Sequence, residues 1–222
     1  MKRYLPILIV AVVAAVAIGS GTALYRAKRP KTLEIPKERG ASATESGDVH
    51  MLGSPDAKVT LEEFGDFQCP PCGKLSEPIN QIQHDYNRQV RFIFRNFPLI
   101  NHLHARDAAS AAEAAGLQGR FWQMHDLLYR EQAVWSNSAD ARALFSAYAG
   151  YIGLNIERFK LDMESERVKE RVAADQKQGL SIGVKNTPTI FLNNKEIEPK
   201  NLNPTDLRAA IDGALKNAKP SS

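Results

Sequence analysis

The sequence holds only two cysteines in 222 residues, too few for a disulfide framework. They stand three positions apart, as Cys69-Pro70-Pro71-Cys72, so a bond between them would close a very small ring. Loop entropy assigns such a crosslink at most ~2 kcal/mol before strain is subtracted. A pair that staples almost nothing points to reactivity. No glycine-rich phosphate loop is present, so no nucleotide or flavin site is visible, and neither is an internal repeat or an extended low-complexity segment. Net charge is also missing from most of the chain. Residues 49–222 carry 21 Lys/Arg against 21 Asp/Glu, which argues against a nucleic-acid partner despite the whole-chain excess of +4. That excess lies in residues 1–48, where anionic lipid headgroups are the natural counterpart.

Apolar residues are concentrated first at the N-terminus. Leu5 to Leu24 is a run of twenty uncharged residues, ~30 Å as a helix and long enough to cross a bilayer core. Residues 1–25 therefore read as a transmembrane signal anchor. A cleaved signal peptide with Gly21-Thr22-Ala23 at the cleavage site is the alternative. Lys2 and Arg3 precede the run and Arg26, Lys28, Arg29 and Lys31 follow it, so the charge rule alone does not orient it. Residues 26–48 lack any apolar period and read as a flexible linker.

From Val49 onward the pattern becomes that of a folded domain. Lys58 to Phe64 reads as a strand. Leu75, Ile79, Ile82 and Tyr86 then share one helix face, with Pro78 predicting a kink or a broken first turn. Val90, Phe92 and Phe94 alternate with Arg91, Ile93 and Arg95 as a second strand, so the two strands should be parallel. Residues 102–180 show no strand pattern, only helical spacing: Ala105 to Ala115, then Phe121, Met124, His125 and Leu128, then Leu144, Tyr148 and Ile152. Thr189 to Leu192 returns to strand, Asn193-Asn194 turns, and a short Ile197 segment follows. Asn203 caps a closing helix with Pro204 at its first position and Leu207, Ala210, Ile211 and Leu215 on one face.

A CxxC pair at a strand-to-helix junction carries a specific chemistry. The first sulfur sits at the helix N-terminus, where backbone N–H groups and the positive dipole end favour its thiolate. The second lies one turn inward, placed to attack a mixed disulfide made by the first. Cys69 is thus expected as the nucleophile and Cys72 as the resolving thiol. A metal half-site is the competing reading, with His102 and His104 as the nearby ligand candidates. Before the late strand, Val184-Lys185-Asn186-Thr187-Pro188-Thr189 places a proline where it must start the strand or occupy a special turn.

Four segments carry a resemblance. Glu63-Phe64-Gly65-Asp66-Phe67-Gln68-Cys69-Pro70-Pro71-Cys72, Phe94-Arg95-Asn96-Phe97-Pro98-Leu99, Gly119-Arg120-Phe121-Trp122-Gln123-Met124-His125-Asp126 and Gly183-Val184-Lys185-Asn186-Thr187-Pro188-Thr189 resemble, in this order, the DsbA-like branch of the thioredoxin superfamily. The resemblance covers residues 49–216. It implies an α/β fold with a thioredoxin-like core and a helical insertion at about 102–180, and dithiol–disulfide exchange outside the cytosol. It also implies a cis Thr187-Pro188 bond that offers the Thr187 backbone to an extended peptide near Cys69. Glu63, six residues before Cys69, matches the acidic position beneath the cysteines, able to accept the resolving thiol's proton. Glu62 points to the opposite strand face and serves as its contrast. His125, Trp122 and Asp126 read as helix packing, and Phe67, Val184 and Pro188 as a rim for substrate or as plain loop burial.

The dipeptide between the cysteines departs from the family. Strongly oxidising members often carry a histidine there, whereas Pro70-Pro71 brings neither charge nor N–H donors. A less stabilised thiolate follows, and with it a milder oxidant or a protein able to work reductively. The expectation is an enzyme that exchanges disulfides with exported or unfolded cysteine-containing proteins, chiefly as an oxidase, without a metal or organic cofactor. By family analogy, a membrane redox partner of the DsbB or vitamin K epoxide reductase type would re-oxidise it. The catalytic domain would be tethered on the extracytoplasmic (periplasmic) side of a bacterial cell membrane, or soluble there if the signal is cleaved. A disulfide reductase or isomerase, or a thiol-dependent metallochaperone, are the alternatives.

Overall fold

The computed structural model describes residues 49–218, so the expected anchor (1–25) and linker (26–48) lie outside the described residues. A short strand β1 (His50–Leu52) leads into β2 (Val59–Gly65), helix α1 (Pro70–Tyr86) and β3 (Val90–Asn96). Six helices follow: α2 (Ala105–Gly116), α3 (Phe121–Arg130), α4 (Gln132–Trp135), α5 (Ala141–Tyr151), α6 (Ile156–Glu164) and α7 (Glu166–Ser181). The chain then returns to the sheet as β4 (Thr189–Leu192) and β5 (Lys195–Glu196) and ends in α8 (Pro204–Asn217). Among the described residues no helix is long and apolar enough to cross a membrane.

The strands form one sheet in the order β1-β3-β2-β4-β5. β2 and β3 are parallel, in register from Val59 opposite Val90 to Gly65 opposite Asn96, as the strand–helix–strand spacing predicts. β1, β4 and β5 run antiparallel to their neighbours. Three residues are too few for β1 to show a period, which is why the sequence reading starts its sheet one strand late. Period two sorts the central strands into faces. Leu61 and Glu63 share one face with Phe92 and Phe94, against which Trp122 and Phe121 of α3 pack. Glu62 and Phe64 share the other with Arg95, beneath α7. Each buried phenylalanine there contributes about 1.5–3 kcal/mol.

The helices follow the expected faces with three differences. Leu75, Ile79 and Ile82 of α1 are buried, but Tyr86 at its last turn is only half-buried and donates its hydroxyl to Asp212 of α8 at 2.8 Å. Pro78 does not break α1, which runs continuously through it. In α5, Phe145, Tyr148 and Ala149 supply the buried face while Leu144 stays half-exposed. Asp140, Asn155, Ser165 and Asn203 each cap a helix by accepting a backbone N–H. The β4–β5 turn uses left-handed backbone at Asn193 (φ 49°) and Asn194 (φ 65°), a conformation asparagine tolerates.

A buried polar seam joins the sheet to the helical block. Glu113 of α2 accepts hydrogen bonds from Asn96 Nδ2 (2.7 Å) and Arg171 Nε (2.9 Å) and meets His50 Nε2 at 2.8 Å. Asp175 of α7 accepts from the Asn96 backbone N–H (3.0 Å) and Arg95 Nη1 (3.0 Å). Burial pushes the Glu113 carboxyl up, but the charges and donors of His50 and Arg171 outweigh it and hold it below its ordinary value.

Candidate active site

Cys69 is the residue just before the first turn of α1, with extended backbone (φ −72°, ψ 118°). Its amide donates to the Asp66 carbonyl (3.0 Å) and its carbonyl accepts from Gly73 N–H (3.1 Å), so the first turn closes on it. Both cysteines are free thiols and buried. Pro70 and Pro71 fill the first two helical positions, where an absent N–H costs nothing to the helix but removes two donors from the sulfur. The first N–H left is that of Cys72, and it lowers the Cys69 pKa. The Cys69 Sγ lies 3.2 Å from the Thr187 carbonyl oxygen, across 118 residues of chain. The Thr187-Pro188 bond is cis, as the resemblance implies.

The two sulfurs have opposite environments. The Cys72 thiol, against the burial of the Cys69 sulfur and with help from the Thr187 side chain and the Cys72 N–H, holds Cys69 down to about 6. Cys72 is pushed well above its ordinary value, by burial first and then by its neighbours Cys69 and Glu63. Glu63 lies beneath them, fully enclosed. Burial, and secondarily the Cys69 charge, raises its carboxyl to about 8. Its Oε1 finds no hydrogen-bond partner. Glu62, one residue away on the opposite face, is paired with Arg95 at 2.9 Å. The sequence contrast between these two glutamates is thus a contrast of surroundings.

Several residues that the motif reading did not assign hold this geometry. Asp66, fully buried, accepts from the backbone N–H of Gln68 (2.7 Å) and Leu99 (2.8 Å) and meets His102 Nδ1 at 2.7 Å. Gln132, the first residue of α4, donates from Nε2 to the carbonyls of Phe67 (2.6 Å) and Cys69 (2.9 Å). It lies so close that a Cβ at Gly73 would sit 2.6 Å from its Oε1. Gln68 accepts the His104 backbone N–H at 2.6 Å. Of the pair considered as metal ligands, the His102 ring is thus engaged by Asp66. Among the described residues no group of three or more His, Cys, Asp or Glu is placed to hold a metal.

His125 sits among Phe67, Phe94, Phe121, Trp122 and Tyr129, in the packing position its spacing indicated. Phe67 and Val184 are buried rather than rim residues, Val184 in a cluster with Phe64, Phe97 and Phe191. Pro188 is half-buried and lines a groove of about 760 Å³ together with Pro71, Leu75, Pro78 and Thr187. Lys74 and Lys185 are exposed on the same groove.

The arrangement offers one sulfur ionised near neutral pH, a second held protonated, and a buried carboxyl able to trade protons with it. Known proteins share its frame. The family model described as thioredoxin matches residues 45–213. The oxidised BdbD of Bacillus subtilis has a TM-score of 0.67 at 28% identity, covering 75% of this chain and 92% of that one. A thioredoxin-like oxidoreductase from Silicibacter pomeroyi has a TM-score of 0.62 at 26% identity, covering 77% and 94%. Among curated proteins, the Na(+)/H(+) antiporter NhaA 1 of Mycolicibacterium gilvum is 38% identical over 151 residues, 66% of this chain but 23% of the antiporter. The chain spans about a quarter of the length of such relatives. Fold, family model and neighbours agree: the chain belongs to the thioredoxin superfamily.

Proposed function

We propose that the chain oxidises cysteine pairs in exported proteins, using Cys69 as the exchanging sulfur. A substrate thiolate attacks Cys69 of the Cys69–Cys72 disulfide, and the electron pair of the broken S–S bond goes to Cys72. Protonated Glu63 supplies the proton that Cys72 then holds. A second substrate thiolate attacks the substrate sulfur of the mixed disulfide, Cys69 leaves as a thiolate, and the substrate departs oxidised. The observation that carries this reading is the split between the sulfurs, Cys69 at about 6 and Cys72 well above its ordinary value, which fits a leaving group and a resolving thiol respectively. The groove beside Thr187 and Pro188 suits the extended peptide around the substrate cysteine.

An N-terminal anchor on residues 1–25 and an extracytoplasmic domain complete the reading. Similarity to part of Na(+)/H(+) antiporters, proteins that work across membranes, agrees with service at a membrane surface. A quinone-linked membrane protein of the DsbB or vitamin K epoxide reductase type would return the dithiol to a disulfide. A reductive direction has one observation in its favour. Pro70 and Pro71 withhold two donors, leaving Cys69 at about 6 rather than the ~3.5 of a very strong oxidant. Thiol trapping in cells separates the two, with disulfide dominant for an oxidase and dithiol for a reductase. For the site itself, Cys69→Ser is expected to abolish disulfide transfer, while Cys72→Ser accumulates mixed disulfides with substrates. Transfer that survives Cys69→Ser would end the proposal.

A further inference from the structure

Beneath the cysteines, three polar groups from three elements are near neighbours. Glu63 comes from β2, Cys72 from α1 and Tyr129 from α3. The Glu63 Oε1 and the Tyr129 hydroxyl are both buried and both without a hydrogen-bond partner. Cys72 is fully buried beside them. Buried polar atoms are almost always paired, so two orphans facing one thiol call for an explanation.

The placement of Tyr129 is built into the strand. Glu63 and Gly65 share a face of β2 by its period of two. A Cβ at Gly65 would sit 2.8 Å from the Tyr129 hydroxyl and 2.5 Å from Phe94 Cε2. The hydroxyl thus occupies the space a side chain at 65 would take, one alternation from Glu63. Its ring is held by Phe67 (centroids 4.9 Å apart), His125 (5.0 Å) and Phe94 (6.3 Å), which leaves the hydroxyl little freedom to turn elsewhere. The ionisable groups around it are Cys72, Glu63, Asp66 and Cys69, with the His125 ring behind. Burial, then those neighbours, push the phenol well above its ordinary value, so it keeps its proton and acts as a donor.

We propose that Tyr129 is a positioning residue for the thiol exchange: its hydroxyl and the Glu63 carboxyl together hold one internal water against the Cys72 sulfur, and that water carries the proton between Glu63 and Cys72. Three polar partners suffice for a buried water. When Cys72 leaves the disulfide as a thiolate, the water gives it a proton and takes one from Glu63. When Cys72 attacks a mixed disulfide on Cys69, its proton travels the other way to the Glu63 carboxylate, a new Cys69–Cys72 bond forms, and the bound thiol departs with the electron pair. Tyr129 keeps its own proton throughout. The inference rests on the proposed role of Cys69 and Cys72, and names a contribution from the helical block to it.

The test uses the full chain carrying glutathione as a mixed disulfide on Cys69, and follows glutathione release between pH 5 and 9 in the wild type, Tyr129→Phe, Glu63→Gln and the double variant. Wild-type release should rise with pH through an inflection where Glu63 ionises. Burial keeps that ionisation above the ordinary carboxylate range, but it falls below 8 here, because the disulfide-bonded Cys69 carries no charge to raise it. Losing the phenol donor disfavours the carboxylate, so Tyr129→Phe should move the inflection to higher pH and slow release about tenfold at pH 7, within the range of acid–base assistance. The double variant should be no slower than Glu63→Gln alone. A Tyr129→Phe profile that superimposes on the wild type, or an equal slowing in the Glu63→Gln background, would overturn the relay. Should Tyr129→Phe fail to fold, the ring carbon bearing the hydroxyl, labelled with ¹³C in the unmutated reduced protein, should shift through the Glu63 titration, and a flat resonance overturns the relay equally. Exchange surviving Cys69→Ser would remove the site reading itself, a distinct failure.

Discussion

Glu63 is a residue whose ionisation the fold opposes by burial. Its carboxyl titrates at about 8 in the folded protein against an ordinary 4.5. Between those values the folded chain holds a proton that the unfolded chain has lost, so stability falls as pH rises from about 4.5 to 8. The accumulated cost at pH 7 is up to about 3 kcal/mol, at 1.36 kcal/mol per unit. Glu63→Gln is therefore expected to raise the melting temperature at pH 7 and to leave it nearly unchanged at pH 4, as followed by circular dichroism. A gain of equal size at both pH values would rule out ionisation as its cause. The family resemblance singled this glutamate out, but its isolation was not legible in the sequence. What isolates it comes from Cys72 of α1 and Tyr129 of α3, and no spacing in the sequence links position 129 to position 63.

At the level of elements, the joint between sheet and helical block is ionic. Glu113 gathers Asn96 of β3, Arg171 of α7 and His50 of β1 within 2.9 Å, with Glu113 and Asn96 both buried. Removing one member of such a group leaves the others buried and unpaired, so Glu113→Ala should cost about 3–5 kcal/mol in urea unfolding. Glu166→Ala, which breaks only the exposed pair with Lys169, should cause no measurable change. Because the Glu113 carboxyl is held below its ordinary value, its contribution is present above the ordinary carboxylate range and lost as pH falls through the folded value. The strand–helix–strand unit was readable because alternation and helical spacing are local signals. This joint was not, since Glu113 lies 17 to 63 residues from the groups it gathers and each looks like an ordinary surface polar residue. The same holds for Gln132, which reaches the Phe67 and Cys69 carbonyls from α4.

For the molecule as a whole, the depressed Cys69 value couples redox state to stability. The folded dithiol ionises at about 6 and an unfolded one near 9.0, so the dithiol form gains stability over the disulfide form as pH rises from 6 to 9, with no change below 6. Comparing melting temperatures of the two forms across that range checks it, with Glu63→Gln as the background so that the carboxyl does not titrate in the same window. A pH-independent difference would show that the fold does not favour the thiolate. The parallel pairing of β2 with β3 was legible in strand–helix–strand spacing, and the family frame in four short segments, whereas β1, the full strand order and the buried seam appear only once the chain has closed. That closure has a temporal side. Thr187 meets Cys69 from 118 residues downstream, and β4 must dock beside β2 before it can. A chain emerging from synthesis therefore displays its cysteines well before the wall that faces them arrives. Until then Cys69 lacks the help of Thr187 and keeps only what its own helix supplies, the Cys72 thiol and N–H.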